Sequence, residues 1–290
     1  MVRFHLAFGL LCVLVMIPEV SRADFMFSNF SSTSGLTLNG DAAEVGDRLR
    51  LTPAEFFQRG SAWYTAREAV GGGFDTAFRF RITDPAGLFN DPAGQPGGDG
   101  FAFVIQAIGP TALGDYGGSL GYGEEPGGGR PGIARSVAVE FDTWFNPPIE
   151  TADPNGNHIS VHTRGLLANN AHESFSLGST TAIPNLSDGA IHTARIAYTP
   201  GSLSIYLDDL LSRRLVVPLD LSSTIGLDDG RAWVGFTGGT WNGWENHDIL
   251  DWSLTATPAA VPEPSTFAMG GIGGLLALGF AWRRRMRAVA

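Results

Sequence analysis

Apolar and polar side chains alternate with period two at Arg48–Leu51, Ala77–Ile82 and Ser202–Leu207, the pattern of strands with one buried face. Phe101–Ile108 and Val137–Phe141 are instead apolar without interruption, which predicts strands covered on both sides. His158–Thr163, His192–Tyr198, Arg231–Thr237 and Ile249–Thr255 complete the strand candidates. Glycine- and proline-rich turns separate them, the longest at Asp84–Gly100 and Gly114–Gly132. No stretch combines sustained helical periodicity with helix caps. The spacing predicts an all-β fold, one antiparallel sandwich or jelly roll rather than two domains.

The two ends follow a different pattern. Arg3, the apolar run Leu6–Ile17 and the small residue Ala23 read as an export signal over residues 1–23. At the other end Val261-Pro262-Glu263-Pro264-Ser265-Thr266 precedes the apolar stretch Phe267–Trp282 and the cluster Arg283-Arg284-Arg285. That stretch has 16 residues, a little short of the roughly 20 that span a bilayer core. The order over residues 258–290 resembles the PEP-CTERM sorting signal. The resemblance implies a Gram-negative host that makes exopolysaccharide and transient anchoring of the helix in the inner membrane. It also implies recognition by an exosortase, with removal of the tail near Pro-Glu-Pro. The expected body is then residues 24–257, placed in the cell envelope or outside the cell.

Charge narrows the choice of partners. The chain has 19 basic residues, all arginine, against 29 acidic ones. Without the two ends the body keeps 13 arginines and 27 carboxylates, a net charge of −14. Such a surface favours divalent cations over anions and lacks the basic face that nucleic acid requires. The single cysteine, Cys12, lies in the export signal, which excludes an internal disulfide framework and a cysteine-based zinc site.

The most informative stretch is Glu140-Phe141-Asp142-Thr143-Trp144-Phe145-Asn146, followed by Asp153-Pro154-Asn155-Gly156-Asn157-His158. On a strand Glu140 and Asp142 face the same side, about 7 Å apart. Two carboxylates beside apolar strands need compensation, and no lysine exists to supply it. A bound cation is one solution: Asn146 and Asp153 add hard oxygens suited to calcium, and His158 adds a nitrogen suited to manganese or zinc. A solvated acidic loop is the other.

Six blocks in order resemble the legume-type (L-type) lectin family over nearly the whole body. They are Phe25-x-Phe27 with Leu38-x-Gly40-Asp41-Ala42, Gly73–Phe80, Gly98–Phe103, Gly117–Gly121, the Glu140 segment, and Val234-Gly235-Phe236 with His247–Ser253. The resemblance implies a concanavalin A-like jelly-roll sandwich that binds carbohydrate with calcium and a transition metal, usually manganese. Carried over by motif, Glu140, Asp142, Asp153 and His158 hold the transition metal. Asp142, Asn146, Asp153 and the Trp144 carbonyl hold calcium. Pro147-Pro148-Ile149-Glu150 lengthens the usual interval; Glu150 takes the usual offset, and Asp153 keeps the Asp-Pro dipeptide. In the sugar site Asp99 matches the hydroxyl acceptor, preceded in relatives by a cis peptide, and Gly118 the backbone donor. Asn146 matches the side-chain donor, Trp144 the aromatic platform, and Asn242 and Gly243 the specificity positions. The expected partner is a glycan or exopolysaccharide. Many relatives form a homodimer through the back sheet, a state that no residue pattern here fixes.

The enzymatic alternative is a jelly-roll glycoside hydrolase. Retaining hydrolysis needs two carboxyls about 5–5.5 Å apart. Glu140 and Asp142 fit the first two places of that motif, but Trp144 or Phe145 stands where the acid belongs. No Gly-x-Ser-x-Gly elbow is present, and His162, His172 and His192 show no partner motif. A structural or adhesion protein with a degenerate sugar site is the third reading. The sequence therefore points to a non-catalytic, metal-dependent binding protein.

Overall fold

The computed structural model describes residues 23–124 and 129–257. The predicted leader up to residue 22 and the predicted sorting segment 258–290, with its apolar helix, lie outside the described residues. Among the described residues no helix is long and apolar enough to cross a membrane. The first strands are β1 (Ala23–Phe27), β2 (Leu36–Gly40), β3 (Ala43–Val45), β4 (Arg48–Thr52) and β5 (Arg59–Tyr64). Then follow β6 (Phe74–Gly87), β7 (Gly100–Gln106), β8 (Ser136–Asp142), β9 (His158–Thr163) and β10 (Ser176–Thr180). β11 (Ile191–Thr199), β12 (Ser202–Leu207), β13 (Asp209–Val217), β14 (Trp233–Gly239) and β15 (Gly243–Ala256) complete the strands. A single α-helical turn, Leu221–Ile225, is capped by the Asp220 side chain.

Two antiparallel sheets pack face to face. The back sheet runs β13-β12-β11-β6-β15-β4-β3, with β1 paired to β15 beyond the end of β4; the front sheet runs β10-β9-β8-β7-β14-β5-β2. This is the predicted jelly-roll sandwich. β1 begins at Ala23, opposite Ala256, so the residue expected to end the leader opens the first strand.

The two strand patterns read from the sequence have separate physical causes. β11 and β12 alternate buried and part-exposed positions because the back sheet presents its outer face to solvent. β7 and β8 are buried at every position. Phe101, Phe103, Val137, Val139 and Phe141 fill the main core between the sheets. On the opposite face Ala102, Val104 and Ala138 are roofed by Leu120, Tyr122, Ile133 and Ala171 from the connecting loops, with Trp63. Aromatic packing dominates the core: Phe101 stacks on Phe141 at 4.9 Å, and Phe78 meets Phe236 edge-on at the same separation. Truncating one such ring to alanine costs about 3–5 kcal/mol.

The outer face of β8 carries the chemistry. Core-facing Val139 and Phe141 oblige Glu140 and Asp142 to point the other way. Pairing with β9 sets Asp142 opposite His158, Glu140 opposite Ser160 and Ala138 opposite His162. Both histidines therefore share the carboxylates' face.

Candidate metal and ligand site

Three of the four residues expected around the transition metal converge. The ligand atoms of Asp142, Asp153 and His158 lie within 4.8 Å of one another. Asp142 is fixed by the Trp144 backbone N–H, which donates to its Oδ1 at 2.9 Å. Asp153 accepts from the Asn146 backbone N–H at 2.8 Å and the Thr151 hydroxyl at 2.6 Å. Glu150 goes elsewhere, accepting from the Asn146 Nδ2 amide at 2.8 Å.

Two buried atoms here have no hydrogen-bond partner, His158 Nε2 and Asn146 Oδ1. His158 Nδ1 lies 2.9 Å from the Asn155 carbonyl, an acceptor only, so this contact places a proton on Nδ1. Burial opposes a second proton on Nε2, but Glu140 and Asp153 outweigh it and raise the His158 pKa, so Nε2 offers its lone pair once a cation displaces that proton. The unpartnered His158 nitrogen and Asn146 amide oxygen, with two buried carboxylates, make a donor set that suits a divalent cation.

Electrostatics reinforce this. Burial, then the charges of Asp153 and Glu140, push the Asp142 carboxyl well above its ordinary range. Burial also raises Asp153, to about 7, with the Glu140 charge adding to it. His158 and the hydrogen bonds to Asp153 oppose that rise. Both groups therefore favour the protonated form in the absence of a cation, and a bound cation would reverse that preference.

Glu140 is turned toward a second cluster. Its Oε1 lies 2.9 Å from His162 Nε2 and 3.5 Å from His158 Nε2, while its Oε2 accepts from the Tyr122 hydroxyl at 2.7 Å. Glu173 Oε2 stands 3.5 Å from the same His162 nitrogen. Burial works to lower the His162 pKa, but the carboxylates of Glu140 and Glu173 outweigh it and raise it to about 10. Burial likewise opposes ionisation of Glu140, yet His162 and His158 hold its carboxyl well below the usual range. Sequence reading missed His162 because its partners come from strand register and from loops. The same holds for His192, whose ring nitrogens meet Asp208 at 2.9 Å and Asp188 at 3.2 Å.

Beside the metal-ligand cluster lies an open cleft of about 420 Å³, lined among others by Asp99, Gly118, Trp144, Asn146, Glu150, Trp241 and Asn242. The Gly98–Asp99 peptide is cis. Asp99 is held by its backbone, which donates to Gly239 and accepts from the Thr143 N–H. A Cβ on Gly118 would stand 2.7 Å from Asn146 Oδ1, so glycine is what lets this turn approach the amide. Gly243 is not on the cleft wall. It opens β15 beneath the Trp144 ring, where a side chain would collide with that ring and with the Gly97 carbonyl. Trp144 is 7% exposed; its ring packs over Gly98 and Gly243, leaving little face for a ligand. Phe89, Ile149 and Trp241 supply the more accessible apolar surface of the cleft.

Residues 22–267 match the family model described as the legume lectin domain, and residues 260–285 match that of the PEP-CTERM protein-sorting motif. The chain is 28% identical over 271 residues to agglutinin-2 of Cladrastis kentukea, covering 84% of this chain and 85% of that one. With a lectin of Bauhinia forficata it shares 29% over 251 residues, covering 82% and 97% respectively. The solved structure of the Bauhinia forficata lectin in complex with GalNAc aligns at a TM-score of 0.64 and 25% identity, covering 83% of this chain and 100% of that one.

Proposed function

The chain belongs to the legume lectin family, and from that premise we propose that it is an exported, metal-dependent carbohydrate-binding protein without catalytic activity. The observation that carries the reading is the adjacency of the cleft and the cation donor set, joined through Asn146. Its Oδ1 is buried and unpartnered beside Gly118, its Nδ2 donates to Glu150 on the cleft wall, and its backbone N–H donates to Asp153 in the cation donor set. Asp142, Asn146, Asp153 and the Trp144 carbonyl would hold calcium; Glu140, Asp142, Asp153 and His158 would hold manganese. When bound, the ions neutralise the buried carboxylates and fix the Asn146 amide. The chain's own residues then do the binding. Asp99 accepts hydrogen bonds from two sugar hydroxyls, the Gly118 turn supplies a backbone donor, and Asn146 and Asn242 supply amide contacts. Gly243 acts as a packing residue under Trp144.

The PEP-CTERM match supports sorting by an exosortase in a Gram-negative cell, after transient anchoring of the tail in the inner membrane. We read the final location as the envelope or the extracellular polysaccharide matrix, with exopolysaccharide as the candidate ligand. The decisive experiment is metal analysis of the full-length chain with a glycan array run with and without chelator. Calcium-dependent signals that Asp99→Ala removes without changing metal content support the proposal. Bound ions with no glycan signal would sink it.

One observation favours a second reading, a matrix or adhesion protein whose sugar site has decayed. The Glu150 carboxylate already takes the Asn146 Nδ2 hydrogen bond that a sugar would need. If Glu150→Ala gives glycan signals absent from the wild type, the site is blocked in this chain and the second reading stands. If wild type and variant bind alike, Glu150 yields to the ligand and the lectin reading holds.

A further inference from the structure

The cleft does not end at Trp241. The ring of Trp241 stacks on Tyr116 at 4.8 Å and 22°, and Phe57 lies 3.7 Å from Tyr116 and 4.5 Å from Trp241. Phe56 extends the row, 5.5 Å from Phe57 and 6.1 Å from Trp241. Phe56 and Phe57 are 47% and 40% exposed, far more than aromatic rings with a core to fill. Phe57 is also held at φ +66°, a backbone region that few residues other than glycine adopt.

The loop presenting these rings is tied to the cleft. Thr240, the neighbour of Trp241, donates from its backbone N–H to the Gln58 carbonyl at 2.9 Å and from its hydroxyl to the Glu55 carbonyl at 2.7 Å. Its hydroxyl also accepts from the Gln58 N–H at 3.0 Å. Ala54 donates to the Asn246 side chain at 2.8 Å. The loop before β5 and the loop before β15 are thus one bonded unit, with Trp241 at the seam.

We infer that Phe56, Phe57, Tyr116 and Trp241 form an extended subsite for the sugar residues next to the one in the cleft, so that the ligand is a glycan chain rather than a single sugar. This rests on the carbohydrate-binding reading above and deepens it. The shelf consists of aromatic rings alone and runs into a cleft whose floor is polar. The surface that Phe56 and Phe57 leave exposed suits the C–H faces of neighbouring pyranoses, and the polar groups of the cleft fix one sugar. A membrane surface is the poorer occupant, because a body with net charge −14 and no lysine is repelled by anionic headgroups.

The test uses the full-length chain loaded with calcium and manganese. Its binding is compared between arrayed monosaccharides and oligomers of the same sugars from two to six units. The inference expects oligomers to bind about tenfold or more tightly than their monomers. Phe56→Ser/Phe57→Asn should erase that gain while leaving monosaccharide binding and metal content unchanged. Phe56→Ser alone, at the edge of the shelf, should show a partial loss if the double variant folds poorly. An affinity independent of chain length overturns the inference, and so does a length dependence that the variants leave intact. Wild-type binding to phosphatidylglycerol vesicles that the double variant loses assigns the shelf to lipid and likewise overturns it. Silence on every sugar by metal-loaded protein overturns the lectin reading itself, and the subsite with it.

Discussion

Two histidine–carboxylate clusters share the outer face of β8 and β9, and they solve the same problem in opposite ways. Glu140 finds its counter-charge inside the protein: His162 carries a positive charge, Tyr122 adds a donor, and the second carboxylate, Glu173, reaches solvent. Asp142, Asp153 and His158 do not, since two carboxyls raised by burial and mutual repulsion face two unpartnered buried atoms. His162 Nδ1 and Nε2 also lack a hydrogen bond, and its cluster too has metal-ligand spacing, but its buried carboxylate already faces an imidazolium at 2.9 Å. The second cluster has the ligand atoms that a cation from outside would join. Buried charge thus points to an external ligand where neighbouring carboxylates raise one another, as at Asp142 and Asp153, and not where an imidazolium already holds the carboxylate ionised, as at Glu140.

Removing the cation should give the largest effect. Binding at a thousandfold excess over Kd contributes about 4 kcal/mol per ion. Chelation should therefore lower the thermal midpoint steeply, and Asp142→Asn, which touches both ion positions, should make the midpoint indifferent to added calcium and manganese. Near-normal metal content in that variant, read by elemental analysis, would dissolve the contrast. Next comes the His162 cluster. His162→Gln strands the Glu140 charge, a change that costs about 3–5 kcal/mol in buried pairs. Denaturant unfolding should show that loss while calcium content stays at the wild-type level. An unchanged stability would mean that Glu140 does not depend on His162.

The smallest effect, and the one that separates the clusters most cleanly, is that of pH, with a slope of at most about 1.4 kcal/mol per pH unit for each proton. Asp153 has a folded value near 7, above its unfolded one. In the metal-free protein its burial therefore destabilises increasingly as pH rises from about 4 to 7. A cation has to displace that proton and the one that burial favours on Asp142, so calcium affinity measured by calorimetry should climb as pH rises through about 7. His162 has a folded value near 10, raised above its unfolded one. Its ion pair stabilises fully below about pH 6.5 and is lost as pH passes through about 10. Acid should therefore weaken cation binding and spare the His162 cluster, whereas alkali should do the reverse. A shared pH midpoint for metal release and for apo melting would contradict this.

Much of this was legible in the sequence because burial on one face or two writes itself into the order of residues. The uninterrupted apolar runs at β7 and β8 and the alternation at β11 and β12 translate directly into their solvent exposure. β13 was not legible: at the sheet edge most of its side chains meet solvent, so its residues carry no periodic constraint. Asp142, Asp153 and His158 could be grouped because one short segment contains them. His162 could not, since Glu140, Tyr122 and Glu173 reach it through register and loops. Resemblance places Gly243 among the specificity positions, whereas in the structure the Trp144 ring above it determines its lack of a side chain. The shelf rings were invisible for a similar reason. Phe56 and Phe57 lie more than 180 residues from Trp241, and the bonds of Thr240 and Asn246 bring the two loops together.

β15 also has a consequence for how the protein would present itself. It begins at the cleft loop and runs 14 residues, at most about 45 Å at the usual rise, to Ala256, which pairs with Ala23. Both ends of the described body therefore emerge side by side at the pole remote from the cleft. An attachment made through either of these paired strand ends would leave the cleft at the opposite end of β15.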